Sequence, residues 1–209
     1  YLRWLYRESP DGKEIASETL VNGKCKGHFC TLPQIFKSSS GSKILVGHIL
    51  NVAVTNDMRG KGLFISLAKE CIKKNIKNNS DALWGIANAS TTHGYIAHLN
   101  FRLICALPVR VGITSIIRNS NTFTKKIDLN FLQSDLFEKF SSDLMLYSQK
   151  GGWFREWSLN KLKYRLKSPI GRYYFSRSNK GLMISTYKKI GPLKILIILK
   201  FFSKEQGLS

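Results

Sequence analysis

The sequence predicts a mixed α/β fold, a mostly antiparallel sheet with flanking helices, and three observations carry that expectation. Two β-rich runs, Ile15 to Val21 and Lys24 to Leu32, are joined by Asn22-Gly23, the pair that a two-residue hairpin turn prefers. A later β-rich run ends in Val52-Ala53-Val54 and passes through a glycine-containing loop straight into a stretch with helical periodicity. A short apolar run, a second helical stretch and a third apolar run then follow in order. A hairpin followed by strand, loop, helix, strand, helix and strand makes a mixed sheet.

Taken in order, Tyr1 to Tyr6 is apolar with basic interruptions and reads as the end of a helix. Ser9-Pro10-Asp11-Gly12 is a turn, because Pro fixes φ and Gly supplies φ > 0. The hairpin comes next, then the flexible SSSGS segment (38–42). Lys43 to Thr55 holds two β-rich runs, ILVGHIL and VAV, and reads as one long strand bent near His48 to Asn51. Beyond the loop, Leu63, Leu67 and Cys71 share one stripe and Phe64, Ala68, Ile72 and Ile76 lie beside it, a wide apolar helix face. Glu70 and Lys74 form a favourable i,i+4 pair on the opposite face, and Asn78-Asn79-Ser80-Asp81 ends the helix. Leu83 to Ala87 reads as a short buried strand, Thr91 to Leu99 as a helix with Ser90 as its N-cap, and Phe101 to Val111 as the returning strand.

The chain has 209 residues, 43% of them hydrophobic, which suffices for a packed core and argues against wholesale disorder. Its first residue is Tyr1 and a motif-rich segment starts at once, so a truncated N-terminus is expected; no signal-peptide pattern precedes Glu8-Ser9-Pro10. The net charge of +20 favours anionic partners: phosphorylated cofactors, nucleic acid or an acidic membrane surface. With no block of five or more basic residues, nucleic-acid binding through a tail is disfavoured, while a basic face assembled by folding stays open. Cys25, Cys30, Cys71 and Cys105 show no zinc-ligand spacing, sit among apolar neighbours and read as buried thiols of a reducing compartment, with no metal expected. The longest apolar run, Ile195 to Leu199, is far shorter than the roughly 20 residues of a transmembrane helix, and a cytoplasmic protein is expected.

The loop after Val54 carries the chemistry. Arg59, Gly60, Lys61 and Gly62, followed by a helix N-terminus, aim backbone N–H groups and two cations at one small volume, which suits an anion and above all a pyrophosphate. Glycine at 60 and 62 lets the backbone come close to such a ligand. In an open α/β sheet, ligands bind at strand C-terminal ends beside the loop that opens the helix.

In these residues the chain resembles the GCN5-related N-acetyltransferases. The family's acyl-CoA loop reads Arg or Gln, two residues, Gly, one residue, then Gly or Ala. Arg59 and Gly62 match it, and Phe64 stands where a small residue is usual. The family then expects a strand ending near an Asn, a helix, and a Leu-Gly-Phe step; here Asn88 follows Ile86-Ala87, and Leu99-Asn100-Phe101 has Asn in place of Gly. The likeness covers roughly residues 14 to 111, about 100 residues, near the usual domain size. It is similar in particular to members of surface-polysaccharide and lipid-carrier modification clusters. The resemblance implies an acetyl-CoA (or other acyl-CoA) site. Val52 and Val54 would offer backbone bonds to the pantetheine arm; Gly60, Lys61, Gly62, Leu63 and Phe64, with Arg59, would hold the pyrophosphate; Asn88 would sit beside the arm. The reaction implied is attack of an amine of a small molecule or sugar on the thioester. Many members carry a proton-donating tyrosine five residues before the final Phe. That position is Ile96 here, so Tyr95 and His93 are the catalytic candidates, with His98 and His48 as alternatives.

The second half changes character. Leu129 to Leu146 reads as a helix, Lys150-Gly151-Gly152 as a hinge and Trp153 to Leu166 as a further helix. Ser168-Pro169-Ile170-Gly171 and Asn179-Lys180-Gly181 echo the turns of the N-terminal half, a weak internal repeat. The expected strands are Tyr173–Phe175, Leu182–Tyr187 and Ile195–Phe202. The division expected is a domain over 1–113, a linker with a helix over 114–150, and a partial second unit of the same kind over 151–209. Tandem units also resemble the aminoacyl transferases of peptidoglycan bridges. Two alternative functions follow: a tRNA-dependent aminoacyl transferase, and a non-catalytic basic binding module on the same fold. Trp153, Arg155, Trp157, Tyr164 and Arg165 could stack on a nucleotide or sugar carrier, though helix–sheet packing explains them more cheaply.

Overall fold

A computed structural model describes residues 1–107, 122–139, 152–178 and 181–203, with side chains to residue 201. The chain divides into two compact units, Tyr6–Gly112 and Tyr1–Leu5 with Ile113–Ser209, the boundary falling inside helix α1 (Leu2–Arg7).

In the first unit, β1 (Ile15–Val21), β2 (Lys24–Ser38), β3 (Lys43–Val54) and β4 (Ala82–Gly85) lie side by side in that order. The first three are antiparallel and β4 runs parallel to β3, a mixed α/β sheet as the sequence predicts. Asn22 and Gly23 both have positive φ (49° and 72°) and close the β1–β2 hairpin with Val21 opposite Lys24, the conformation a type I′ turn requires. Strand β2 runs past the expected end at Leu32. Pro33 lies past the stretch that β1 covers, since β1 stops at Ile15, opposite Thr31.

The bend expected near His48 to Asn51 is a β-bulge. Cys30 faces Leu50 while His28 faces Ala53, so β3 carries one extra residue there, and Asn51 adopts φ 48°. Helix α2 (Leu63–Lys77) crosses back over the sheet to β4, packing Leu67, Ala68 and Cys71 on Phe29 and Ile49. Two glycines allow this close approach: a Cβ on Gly27 would fall 2.7 Å from Leu67, and one on Gly47 would fall 2.7 Å from Asn75 Oδ1. Glu70 and Lys74 pair at 2.8 Å, and Lys74 Nζ also donates to Ala16 O.

Three expectations need correction. The strand expected at Leu83 to Ala87 spans Ala82–Gly85 and is half exposed, because β3 is its neighbour among the described residues. The second helix, α3 (Ala89–Leu99), is capped by Asn88 rather than Ser90. Residues 101–107 form no strand, and Leu103, Ile104 and Leu107 are exposed; residues 108–111 lie outside the described residues. Asn100 at φ 58° does provide the left-handed helix cap that its place in Leu99-Asn100-Phe101 suggests, with its own N–H and that of Phe101 both bonding Tyr95 O.

In the second unit, β5 (Phe123–Lys126), β7 (Tyr173–Ser178), β8 (Gly181–Ile190) and β9 (Leu193–Ser203) form an antiparallel sheet in the order β5-β7-β8-β9. The three expected strands are present, each longer than read. The helix expected over Leu129 to Leu146 is broken: α4 covers Leu129–Leu132, residues 135–139 are helical after an interruption, and the rest is outside the described residues. Trp153 to Leu166 is also not one helix. Trp153–Arg155 is a strand (β6), and α5 (Leu159–Leu166) begins only where Ser158 Oγ accepts from Lys161 N. Of the hinge expected at Lys150-Gly151-Gly152, Gly152 lies within the described residues, at φ 71°, and the other two lie outside them. Phe131, Phe137, Phe175 and Leu182 form the core, with Trp157 packed against it and the Arg155 guanidinium 4.6 Å from the Trp157 ring. Tyr164 stacks on Trp4 at 4.8 Å. Packing thus accounts for Trp157 and Tyr164.

Candidate acyl-CoA site

Strand β4 pairs with β3 only over residues 46–49, so β3 continues through residues 50–54 with no strand partner on that side among the described residues. Val52 and Val54 lie on this stretch, Val52 packing against the core under α2. A single 3-10 turn, Asn56–Met58, connects β3 to the loop. Lys26 fixes that turn: its O accepts from Thr55 N (2.9 Å) and its Nζ meets Asp57 Oδ2 at 2.7 Å. The ammonium holds the exposed Asp57 carboxyl down at about 2.

Gly60 and Gly62 adopt φ 73° and 74°, values a side-chain-bearing residue rarely takes. A Cβ at either would meet no protein atom within 4 Å, so it is conformation, together with open space for a ligand, that glycine serves here. Gly62 is the N-cap of the 15-residue α2 and provides no side-chain cap. The first-turn N–H groups have no intrahelical acceptor, and the positive end of the helix dipole adds to them. Arg59 and Lys61 are exposed on the same loop.

Phe64 turns inward. Its ring lies 6.1 Å from Phe29 and 5.3 Å, edge-on, from Tyr95. Gly94 on α3 makes room for it, since a Cβ there would sit 2.8 Å from Phe64 Cε1. The bulky residue in the loop pattern is thus matched by a missing side chain on the facing helix.

Asn88, at the start of α3, spends its Oδ1 on capping: it accepts from Thr91 N (3.0 Å), Thr91 Oγ1 (2.9 Å) and Ser90 Oγ (2.7 Å). Its Nδ2 takes no part in the cap. Tyr95 is packed among Phe29, Phe64 and Phe101, and burial pushes its phenol up to about 12. Ile96, one residue on, is the exposed one. His93 and His98 are both exposed on α3, rings 5.9 Å apart. His48 stacks on Trp84 at 4.5 Å and meets Gln34 Nε2 at 3.1 Å, within the paired part of the sheet.

Tertiary structure adds residues that sequence reasoning missed. Beside the bulge, Asn51 Nδ2 donates to Tyr6 Oη at 2.7 Å, and the Tyr6 ring lies 6.3 Å from His28, which faces Ala53 across β2–β3. Of the described histidines, His28 is the one paired with the open stretch of β3. Only the β2–β3 register, shifted at the bulge, could have pointed to it.

No family model matches the chain, and no curated protein does. Solved structures do. A GCN5-related N-acetyltransferase from Kribbella flavida aligns over 91% of this chain at a TM-score of 0.53 and 9% identity. The chain has the GCN5-related N-acetyltransferase fold. It spans 46% of the Kribbella protein's length. An acetyltransferase from Trypanosoma brucei aligns with 48% of this chain and 69% of its own at 20% identity and TM-score 0.40. Glucosamine-6-phosphate N-acetyltransferase from Arabidopsis thaliana aligns with 46% of this chain and 62% of its own at 14% identity and TM-score 0.35. No described helix is long and apolar enough to cross a membrane. Within this fold, the uncapped α2 N-terminus and its two positive-φ glycines fit a pyrophosphate group, which would rest on the N–H groups of residues 62–64 with Arg59 and Lys61 alongside.

Proposed function

We propose that the chain is an acyl-CoA-dependent N-acyltransferase that moves an acetyl or similar group to an amine of a small molecule or sugar. The observation that supports this best is the junction of loop 59–62 with the stretch of β3 beyond β4: an anion cradle adjoining a strand edge that has no strand partner on that side among the described residues. Acetyl-CoA, when bound, supplies the activated thioester. Residues 62–64 and the cations Arg59 and Lys61 hold its phosphates. Val52 and Val54 offer backbone groups to the pantetheine amides, and Asn88 Nδ2 lies at the end of β4. The His28 imidazole takes the proton from the incoming ammonium, with Tyr6 and Asn51 holding the bulge beside it. Tyr95 and His93 play packing and surface roles in this reading. Titration calorimetry with acetyl-CoA and CoA tests it: saturable binding of both is expected, and none at millimolar ligand would sink it.

A second reading, a binding module on the same fold without chemistry, draws on Ile96 at the usual donor position and the burial of Tyr95. It predicts CoA binding with no thioester consumption across a panel of amines.

A further inference from the structure

Strand β7 covers β8 only as far as Thr186, so residues 187–190 and 193–196 pair with each other alone among the described residues and form a two-stranded ribbon beyond the sheet. Its tip is Gly191-Pro192, with Gly191 at φ 56° and Ile190 opposite Leu193. Directly opposed residues of an antiparallel pair share a face. One face therefore carries Ile190, Leu193 and Ile195 with Lys188, and continues into Ile197; these apolar side chains are 53%, 65%, 39% and 38% exposed. The other carries Tyr187, Lys189 and Lys194, with Lys194 Nζ 4.3 Å from the Tyr187 ring centre. Residues 181–203 contain four lysines and no acidic residue.

We infer that this ribbon docks the protein on an anionic lipid surface. Exposed isoleucine and leucine at a projecting tip have no hydrogen bond to offer a nucleic acid, but they gain by leaving water for the acyl boundary. Lysines at the same level reach headgroup phosphates while their stems stay apolar. A second copy is the poorer occupant. Pairing two ribbons would bring the lysines of each against those of the other, between chains of net charge +20. Anionic headgroups neutralise the same lysines.

Flotation of the full chain with vesicles tests this. Binding is expected to phosphatidylcholine vesicles containing about a quarter phosphatidylglycerol, not to pure phosphatidylcholine, and to weaken with salt. Each lysine changed to Gln should weaken binding about fivefold, so Lys188→Gln/Lys189→Gln/Lys194→Gln should lose roughly 100-fold. Ile190→Ser/Leu193→Ser should also release the protein. All five side chains are exposed, so both variants should keep the wild-type circular dichroism spectrum. The inference is overturned by equal binding to neutral vesicles or none to either, and equally by full binding in both variants. It is also overturned if light scattering shows a dimer that Ile190→Ser/Leu193→Ser dissociates, or if only RNA binding depends on the lysines.

Discussion

Asn75 Nδ2, on α2, donates to Thr31 Oγ1 in the middle of β2 at 2.9 Å, with both residues buried. The same amide donates to Cys71 O (2.8 Å), and its Oδ1 accepts from Ser80 Oγ at 3.3 Å. One side chain thus fastens the helix to the sheet and to the turn leading into β4. Replacing Asn75 by Ala leaves Thr31 Oγ1 with its bond to Ile15 O alone and takes the acceptor from Ser80 Oγ, and should cost about 1–3 kcal/mol. Urea unfolding measures this. Because α2 carries the loop at its other end, CoA affinity should fall as well.

Gly94 and Phe64 fit one another, and their coupling can be measured. Gly94→Ala places a methyl 2.8 Å from the Phe64 ring, an overpacking expected to cost about 1–3 kcal/mol. Phe64→Leu should recover part of it. A double-mutant cycle with strictly additive losses would mean the two residues do not share the gap.

The sequence predicts four buried thiols, but only Cys30 and Cys71 are buried. Cys25 and Cys105 are exposed, whereas burial pushes Cys30 up to about 12 and raises Cys71 as well. A thiol reagent should therefore modify two groups in the native protein and four after denaturation. The unfolded chain releases these protons first, so stability should decline as pH climbs from about 9 towards about 12, where Cys30 titrates in the folded state. Tyr95, raised from 10 to about 12, adds to the same alkaline loss.

Asp57 acts at the other end of the scale. Its carboxyl titrates at about 2 against the usual 3.8, so the contribution of its pair with Lys26 is full above about pH 4 and lost as pH falls towards about 2. Lys26→Ala should loosen the turn before the loop and lower CoA affinity, read by calorimetry, with little change in the unfolding midpoint. Gly62→Val should remove CoA binding while the sheet persists; unchanged affinity would mean that loop 59–62 is not the cradle.

His28→Gln is expected to lower kcat/KM for amine acylation by about 10²–10⁴ while leaving the CoA dissociation constant within about twofold. His48→Gln, in the paired sheet, should leave the pH profile unchanged. A profile indifferent to residue 28 would move the base elsewhere.

By itself the sequence determined the local features. Asn22-Gly23, Asn100 and Gly60/Gly62 all sit at positive φ, which their side chains, or lack of them, permit. The apolar stripe that begins at Leu63 marks the face that α2 buries, through Leu67, Ala68 and Cys71, although Ile76 at its far end is exposed. What depended on partners far along the chain was not legible. The ends of β4 follow from its pairing with β3 rather than from propensity. Helix α3 ends at Leu99 as its pattern predicts and starts two residues early only because Asn88 caps it in place of the neighbouring Ser90. Trp153–Arg155 reads as helix by pattern and is extended in the structure. Only the tertiary structure decided that Phe64 is answered by Gly94, that a half-buried Tyr95 packs against the core, and that Tyr6, Asn51 and His28 meet beside a bulge. The physical reason is the same each time: turn chemistry acts through the residue's own backbone, whereas burial and proximity depend on residues that the sequence separates by dozens of positions.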